Sequence, residues 1–345
     1  MMRLPLFRYR APRTVDEAAK ILAGEGSDAI LIAGGTDLLP NMKRRHQTPR
    51  TLVALRGVHE LRKVENGSGL KLGAGLTLTE LVRNETVRRD YTGLWQAAAQ
   101  IATAHLRNMG TLGGNLCLDT RCTYYDQNEE WRKAIGYCMK REGETCWVAP
   151  SSSRCLAVSS TDTAPALIAL GAKVRLVSAA EERTVALDDL YRNDGIEYLT
   201  RRPDEILTDV LLEPAAGQRS TYWKLRRRGS FDFPVLSVAA AARLAGDGTV
   251  EEARIALGAV ASRPILGDDA ARYLQGKKLT DGAIAEAAAL ASKPAKPMDN
   301  TDFTLHWRKR VTREFVTFAL RELRGDEMRA TRARYARHSL DTAGI

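Results

Sequence analysis

The sequence predicts an α+β protein, on three observations. A continuous apolar strand, Ala29-Ile30-Leu31-Ile32-Ala33, runs straight into Gly34-Gly35 and then into a helical segment from Leu38 to Arg45. Beyond a change of composition at Pro214-Ala215-Ala216-Gly217, a set of strands is followed by a set of helices, so a second α+β domain begins there. Between them, residues 117 to 155 hold all five cysteines of the 345-residue chain, confined to one long loop.

In chain order, Phe7 to Pro12 is an extended entry. Thr14-Val15-Asp16-Glu17 has the pattern of a capping box, Thr14 as N-cap and Glu17 at the third helical position, opening a helix to about Leu22 that Gly24-Glu25-Gly26 ends. The strand at Ala29–Ala33 is of the fully buried kind. Strands at Thr51–Leu55 and Leu70–Leu72 follow, then a helix over Thr77–Asn84 and an alanine-rich helix over Leu94–Ala104. His105 to Thr111 is a loop that delivers Leu112-Gly113-Gly114. After the cysteine loop come a short helix at Ala164–Ile168 and strands at Lys173–Val177 and Glu205–Leu212. In the second half, Thr221–Leu225 and Val235–Leu244 are strands, the latter turning at Gly246-Asp247-Gly248 into Ala253–Leu257. Helices over Asp268–Leu274, Asp281–Ala291 and Phe303–Leu323 follow, and a basic tail past Gly325 continues as helix or frays.

A strand that ends in two glycines at a helix start is a phosphate-binding geometry. Glycines admit the backbone close to an anion, and successive N–H groups hold it. One Gly-Gly alone reads equally well as a tight turn. Two such pairs, each ending an ordered segment, point together to one extended ligand with a diphosphate.

The cysteines run Cys117-x4-Cys122-x15-Cys138-x7-Cys146-x8-Cys155. The chain opens Met1-Met2-Arg3-Leu4-Pro5 without an apolar run fit for a signal peptide, which implies a reducing cytoplasm where structural disulfides are rare. Zinc favours paired ligands at short spacing, and no pair here resembles a knuckle. With those set aside, an iron–sulfur cluster is the favoured reading: it takes four thiolates, which a long loop can wrap without a fixed short motif, and leaves one cysteine over. Tyr124, Tyr125, Trp131, Tyr137 and Trp147 would shield such a cluster from water, and Gly136 and Gly143 allow sharp turns. An aromatic mini-core holding a surface loop stays open as the plainer reading.

Hydrophobic content of 44% and charged content of 27% belong to an ordinary globular chain with room for two or three modules. No apolar stretch approaches a membrane span. The net charge of +10 raises nucleic acid as a partner, but ten Lys/Arg against four Asp/Glu between His306 and His338 localise most of the excess to one C-terminal helical region. That pattern fits a solvated or docking face better than a groove reader. The five histidines, His46, His59, His105, His306 and His338, are scattered and give no metal or triad pattern.

Three runs together, Ala33-Gly34-Gly35-Thr36-Asp37, Thr111-Leu112-Gly113-Gly114-Asn115-Leu116-Cys117 and Ser160-Thr161-Asp162-Thr163-Ala164-Pro165-Ala166-Leu167, resemble the FAD-binding subunit of the xanthine dehydrogenase family of molybdenum enzymes. The resemblance covers nearly the whole chain. The final third, from Lys224 through Gly258-Ala259-Val260-Ala261-Ser262-Arg263-Pro264, is similar to that family's C-terminal flavin-subunit domain. Most of the family lacks the cysteine insertion. Asp119-Thr120-Arg121-Cys122-Thr123-Tyr124-Tyr125, Gly136-Tyr137-Cys138 and the seven-residue step from Cys155 to Asp162 resemble the β subunit of 4-hydroxybenzoyl-CoA reductase, whose insertion carries an extra [4Fe-4S] cluster.

The resemblance implies an FAD-binding domain of two subdomains over residues 1–215 with a cluster-binding insertion at about 118–156. A C-terminal flavin-subunit domain would span 216–325 and a basic tail 326–345. It implies that Ala33, Gly34, Gly35, Thr36 and Asp37, with Thr111, Gly113, Gly114 and Asn115, cradle FAD. Asp162 would accept a hydrogen bond from the ribityl chain and Lys224 would lie near the flavin ring. By their bare sequence context, Asp162 also reads as a helix N-cap and Lys224 as an exposed strand residue. The implied cluster ligands are Cys122, Cys138, Cys146 and Cys155, with Cys117 spare. The implied role is electron transfer without turnover by the isolated subunit. Electrons would pass from ferredoxin through cluster and FAD to a small [2Fe-2S] subunit and a large molybdenum-cofactor subunit in a dimer of heterotrimers, for reductive dehydroxylation of 4-hydroxybenzoyl-CoA. The flavin subunit of another molybdenum hydroxylase is the alternative the resemblance leaves. A free-standing flavin oxidase lacks support, since no catalytic base or flavin-attachment residue is evident, and an RNA-binding role rests on net charge alone.

Overall fold

A computed structural model describes residues 3–229 and 231–337, so the last eight positions of the predicted basic tail lie outside the described residues. The chain builds three sheets. Strands β1 (Arg8–Arg10), β2 (Ala29–Ile32) and β3 (Thr51–Ala54) pair in parallel in the order β1-β3-β2. The helix Val15–Glu25 lies against them through Ala18, Ala19 and Leu22, which are buried together with Val53 and Ile206. Thr14 Oγ1 accepts the Glu17 N–H at 3.1 Å as predicted, but the Glu17 carboxylate accepts from the Arg13 N–H at 2.6 Å, so the reciprocal half of the capping box is not made.

The second sheet is antiparallel. It joins β4 (Val64–Asn66), β5 (Leu70–Gly73), β6 (Lys173–Val177), β7 (Glu182–Ala186) and β8 (Ile206–Leu212) in the order β4-β5-β8-β6-β7. Leu72, Val174 and Val210 share one core with Leu94 and Ala97 of the helix Thr92–Ala99 and Leu167 of the helix Thr163–Ala169.

The third sheet, β9 (Gln218–Leu225), β10 (Leu236–Leu244), β11 (Val250–Gly258) and β12 (Ile265–Leu266), is antiparallel in the order β12-β11-β10-β9. Its alternation sends Tyr222, Ala239, Ala241 and Ala256 into the core of the second sheet. Trp223, Val238, Ala240, Ala242 and Leu257 go the other way, against the helices Asp268–Leu274, Asp281–Ser292 and Leu305–Arg324. Both faces are therefore buried, which explains the unbroken apolar run in β10. At the end of the neighbouring strand β11 the Thr163–Ala169 helix comes so close that a Cβ on Gly258 would lie 2.7 Å from Pro165 Cγ.

Several predicted elements need correction. The alanine-rich helix stops at Ala99, Ala102 takes a φ of +46°, and Thr103 caps a separate turn of helix, Ala104–Arg107, inside the expected loop. The short strands β1, β4 and β7 escaped prediction because three to five mixed residues carry no period. The basic C-terminal helix is not simply solvated. Arg308 is fully buried and donates to Val235 O at 2.9 Å and Met298 O at 2.8 Å. Past Gly325 the chain forms a further helix, Arg329–Arg337.

Candidate cofactor sites

Strand β2 delivers Gly34 and Gly35 to a turn whose geometry only glycine allows. Gly35 takes a φ of +69°, and a Cβ on Gly34 would lie 1.9 Å from Met109 O. The turn is thus pressed onto residues 109–110, just ahead of the second glycine pair. Among the described residues, the N–H groups of Gly34, Gly35, Thr36 and Asp37 meet no acceptor. A run of four such donors beside a positive-φ glycine is a concave anion site. The helix that follows, Leu38–Lys43, has only six residues, so the turn's own amides carry that capacity.

The second pair is built differently from the expectation. Thr111 caps a one-turn helix, Leu112–Leu116, and the amides are spent inside the fold. Gly113 N–H donates to Ala74 O at 2.8 Å, Gly114 N–H to Thr111 Oγ1 at 3.1 Å and Asn115 N–H to Thr111 O at 2.9 Å. Gly113 is small because a Cβ would meet that of Ala74 at 2.8 Å. Asn115 acts through its side chain, Oδ1 accepting from Thr161 Oγ1 at 2.9 Å and from the Thr163 N–H at 3.0 Å. The second glycine run is thereby tied to the segment that carries Asp162.

Asp162 occupies the N-cap position of the Thr163–Ala169 helix but makes no side-chain cap bond, so the capping role is overturned. Its carboxylate accepts from Tyr222 Oη at 2.6 Å and pairs with Lys224 Nζ at 3.0 Å. Lys224 also donates to Gln100 O at 3.1 Å. The Lys224 side chain is 0% and that of Asp162 3% exposed, so Lys224 is not a surface strand residue. Burial pushes the Asp162 carboxyl up and the Lys224 ammonium down, and each charge opposes the shift of the other. The pair crosses from the N-terminal half to β9, at the seam between the second and third sheets.

The insertion holds one short helix, Glu129–Ala134, and otherwise irregular backbone. Cys122, Cys138, Cys146 and Cys155 are each buried, three of them in one cluster with Tyr125 and Ala157. Cys155 senses both Cys138 and Cys146, and Cys122 senses Cys138 and Cys155, so the four thiols face a common region. Burial pushes the Cys122 thiol up to about 12 and that of Cys155 to about 11. Cys122 and Cys155 would stay protonated unless a cation compensated their charge. Among the described residues, no group of three His, Cys, Asp or Glu side chains is arranged to hold a metal ion, so the thiols share a pocket without forming a closed ligand set.

The surroundings nevertheless fit an anionic inorganic cluster. The Ala157 N–H points to Cys155 Sγ at 3.4 Å, the kind of hydrogen bond that tunes a cluster sulfur, and the Tyr125 N–H closes a turn on Cys122 O at 2.9 Å. Gly195 closes on Cys155, where a Cβ would come within 2.6 Å of Sγ. Gly136 and Tyr137, both at positive φ, present Cys138, a conformation costly for a bulky residue. Cys117 stands apart: it packs on the core of the second sheet, and its thiol is raised by burial against the opposing charge of Arg201.

Sequence reasoning missed four side chains. The Lys140 side chain is only 6% exposed and donates to Asp119 at 2.7 Å, Thr120 Oγ1 at 2.6 Å and Gly195 O at 2.6 Å, stitching the insertion to its base. His46 stacks on Tyr125 with centroids 4.1 Å apart, and burial, then the charge of Arg132, lowers its pKa. Arg132 is buried with Nε and Nη1 unpartnered. Arg121, whose only sequence signal was its place beside Cys122, reaches out of the insertion to Asp37.

Comparison with known proteins shows the family. Residues 5–214 match the model of the FAD-binding domain in molybdopterin dehydrogenase, and residues 220–323 that of the CO dehydrogenase flavoprotein C-terminal domain. The chain is 37% identical over 270 residues to the FAD-binding subunit PaoB of an aldehyde oxidoreductase from Escherichia coli K12, covering 75% of this chain and 82% of the relative. It is 29% identical over 319 residues to the carbon monoxide dehydrogenase medium chain of Hydrogenophaga pseudoflava, covering 92% and 96%. A solved structure of carbon monoxide dehydrogenase from that organism superposes with a TM-score of 0.76 at 28% identity, over 92% of this chain and 97% of the other. Quinoline 2-oxidoreductase from Pseudomonas putida 86 gives 0.75 at 26%, over 93% and 98%. No helix among the described residues is long and apolar enough to cross a membrane. An FAD-binding domain joined to a flavoprotein C-terminal domain along nearly its whole length, the chain belongs to the FAD-binding medium subunits of the molybdenum hydroxylase and CO dehydrogenase family.

Proposed function

We propose that this oxidoreductase subunit carries a [4Fe-4S] cluster on Cys122, Cys138, Cys146 and Cys155 beside its FAD. In this reading it relays electrons between ferredoxin and the [2Fe-2S] and molybdenum centres of a small and a large partner subunit, in a dimer of heterotrimers. The observation that carries the reading is the burial of those four thiols, three of them in one cluster, with Cys117 packed on a different core. Bound FAD supplies exchange between two-electron and one-electron chemistry, and a cluster supplies a one-electron site.

The chain's own residues hold and orient. The free amides of Gly34, Gly35, Thr36 and Asp37, following Ala33, receive the diphosphate. Thr111, Gly113, Gly114 and Asn115 form the rigid wall beside it. The bonds of Asp162 to Tyr222 and Lys224 fix its carboxylate for the ribityl chain and set Lys224 near the ring. Substrate chemistry falls to the large subunit. A cytoplasmic setting keeps the thiols reduced.

Two substrates separate by electron direction. The likeness of the insertion to the 4-hydroxybenzoyl-CoA reductase β subunit supports reductive dehydroxylation to benzoyl-CoA, which consumes two electrons. The 37% identity to an aldehyde oxidoreductase subunit supports oxidation of an aldehyde to its acid, which releases two. The test is the complex purified without oxygen. Iron and sulfide should be about four per medium subunit beyond the [2Fe-2S] content. Each of Cys122→Ser, Cys138→Ser, Cys146→Ser and Cys155→Ser should lose or labilise that iron, while Cys117→Ser keeps it. Loss in Cys117→Ser with retention in any of the other four overturns the assignment. Aldehyde with an oxidised dye, against 4-hydroxybenzoyl-CoA with a reduced one, decides the substrate.

A further inference from the structure

One side chain spans the gap between the insertion and the glycine turn. Arg121 directly precedes Cys122 and is fixed at its root, its N–H donating to Val158 O at 2.8 Å while the Val158 N–H returns to Arg121 O at 2.7 Å. Its guanidinium pairs with the Asp37 carboxylate and donates from Nη1 to Asn41 Oδ1 at 3.3 Å and Asp126 Oδ1 at 3.3 Å. Phe233 stacks on it at 4.7 Å. The Arg121 side chain is only 10% exposed, and its Nε has no partner. Asp37 is the last residue of the anion-binding turn, and its second oxygen, Oδ2, accepts from Asn41 Nδ2 at 3.0 Å.

A carboxylate in a turn that must bind a diphosphate is a liability, because like charges repel in a half-buried site where screening is weak. Arg121 neutralises it. The guanidinium can stay there only while its own stretch, residues 119–126, is held in place. That stretch is irregular backbone anchored by the burial of Cys122 and Tyr125.

We infer that Arg121 is a positioning residue that couples the two cofactor sites. Closure of the insertion around its cluster holds Arg121 on Asp37 and so raises the affinity of the glycine turn for the FAD diphosphate. The inference rests on the cluster assignment proposed above. By reciprocity, bound FAD must also tighten the binding of the cluster.

The test uses the full subunit in its complex, deflavinated and titrated with FAD by quenching of flavin fluorescence. Iron-free Cys122→Ser and iron-loaded Arg121→Ala should each bind FAD roughly tenfold more weakly than the loaded wild type, a difference of about 1.4 kcal/mol. Asp37→Asn removes the charge that Arg121 neutralises. In that background, therefore, whatever its own affinity, adding Cys122→Ser should change FAD binding little, and adding Arg121→Ala should no longer weaken it. Arg121→Ala that holds iron and binds FAD like the wild type overturns the coupling, as does an unchanged iron dependence in the Asp37→Asn background. If Arg121→Ala fails to fold, the Asp37→Asn pair decides alone. A wild type that holds no extra iron overturns the cluster reading itself, and the coupling with it, which the iron assay reports separately from FAD affinity.

Discussion

Gly34→Ala tests the proposed anion-binding turn most directly. An added Cβ would sit 1.9 Å from Met109 O, 2.5 Å from Met109 C and 2.9 Å from Gly110 N. All three are backbone atoms, so no side-chain rotation relieves the overlap. A carbon and a carbonyl oxygen need about 3.3 Å, so the turn or the 109–110 segment must move by about 1.4 Å. Overpacking of this kind costs about 1–3 kcal/mol of stability. The larger effect falls on FAD. Charge-assisted hydrogen bonds are each worth about 1.5–3 kcal/mol, so displacing two turn amides from the diphosphate should weaken binding by about two to four orders of magnitude. The assay is FAD content as purified, then affinity by fluorescence titration of the deflavinated complex, beside a melting curve. Two controls fix the interpretation. Gly24→Ala, in the first long helix with nothing within 4 Å, should leave FAD binding unchanged and raise stability by about 0.5–1 kcal/mol. Gly114→Ala meets only Thr111 Oγ1 at 3.0 Å and, since its amide already serves Thr111, should weaken FAD far less than Gly34→Ala. Gly34→Ala with native FAD affinity would refute the turn as the diphosphate site.

Three further outcomes are expected. Lys224→Met strands the buried Asp162 carboxylate and should cost about 3–5 kcal/mol in denaturant unfolding, much of it recovered by Asp162→Leu in the same chain; additive losses would exclude a coupled pair. Gly195→Ala replaces no proposed ligand, yet its Cβ would sit 2.6 Å from Cys155 Sγ, so iron should become labile to a chelator while FAD stays; iron retained at the wild-type rate would remove Gly195 from the site. Burial tends to raise the pKa of Glu322, but its bonds from Arg332, Thr221 and Trp223 outweigh this and hold it below 4.5. A depressed carboxylate contributes stability above its unfolded pKa and loses it as pH falls through the folded one. Docking of the Arg329–Arg337 helix should therefore be constant from neutrality to about pH 4.5 and weaken below, with that acid limb flattened in Glu322→Gln. Protease sensitivity of the C-terminal helix against pH is the readout, and an identical limb in the variant would sink the linkage.

The sequence alone determined what depends on neighbours in the chain. Thr14, Thr77 and Thr304 stand at helix starts because a hydroxyl three residues from an amide caps it wherever the helix goes. The two glycine pairs and the confinement of the cysteines were legible for the same reason: composition and spacing survive without coordinates. What the sequence could not show is how each group is spent. Gly34 and Gly113 look alike in the chain, but the first keeps a free amide and the second gives its own to Ala74, because only folding brings residue 74 to that turn. Asp162 carried two plausible local roles, and a lysine 62 positions away took it from the helix cap. Arg308 reads as one more cation in a basic helix until the ends of three loops converge on it and bury it. Arg121 follows the same rule. Capping and turn geometry act over three or four residues, whereas the partner of a buried charge is chosen by packing, which only the tertiary structure decides.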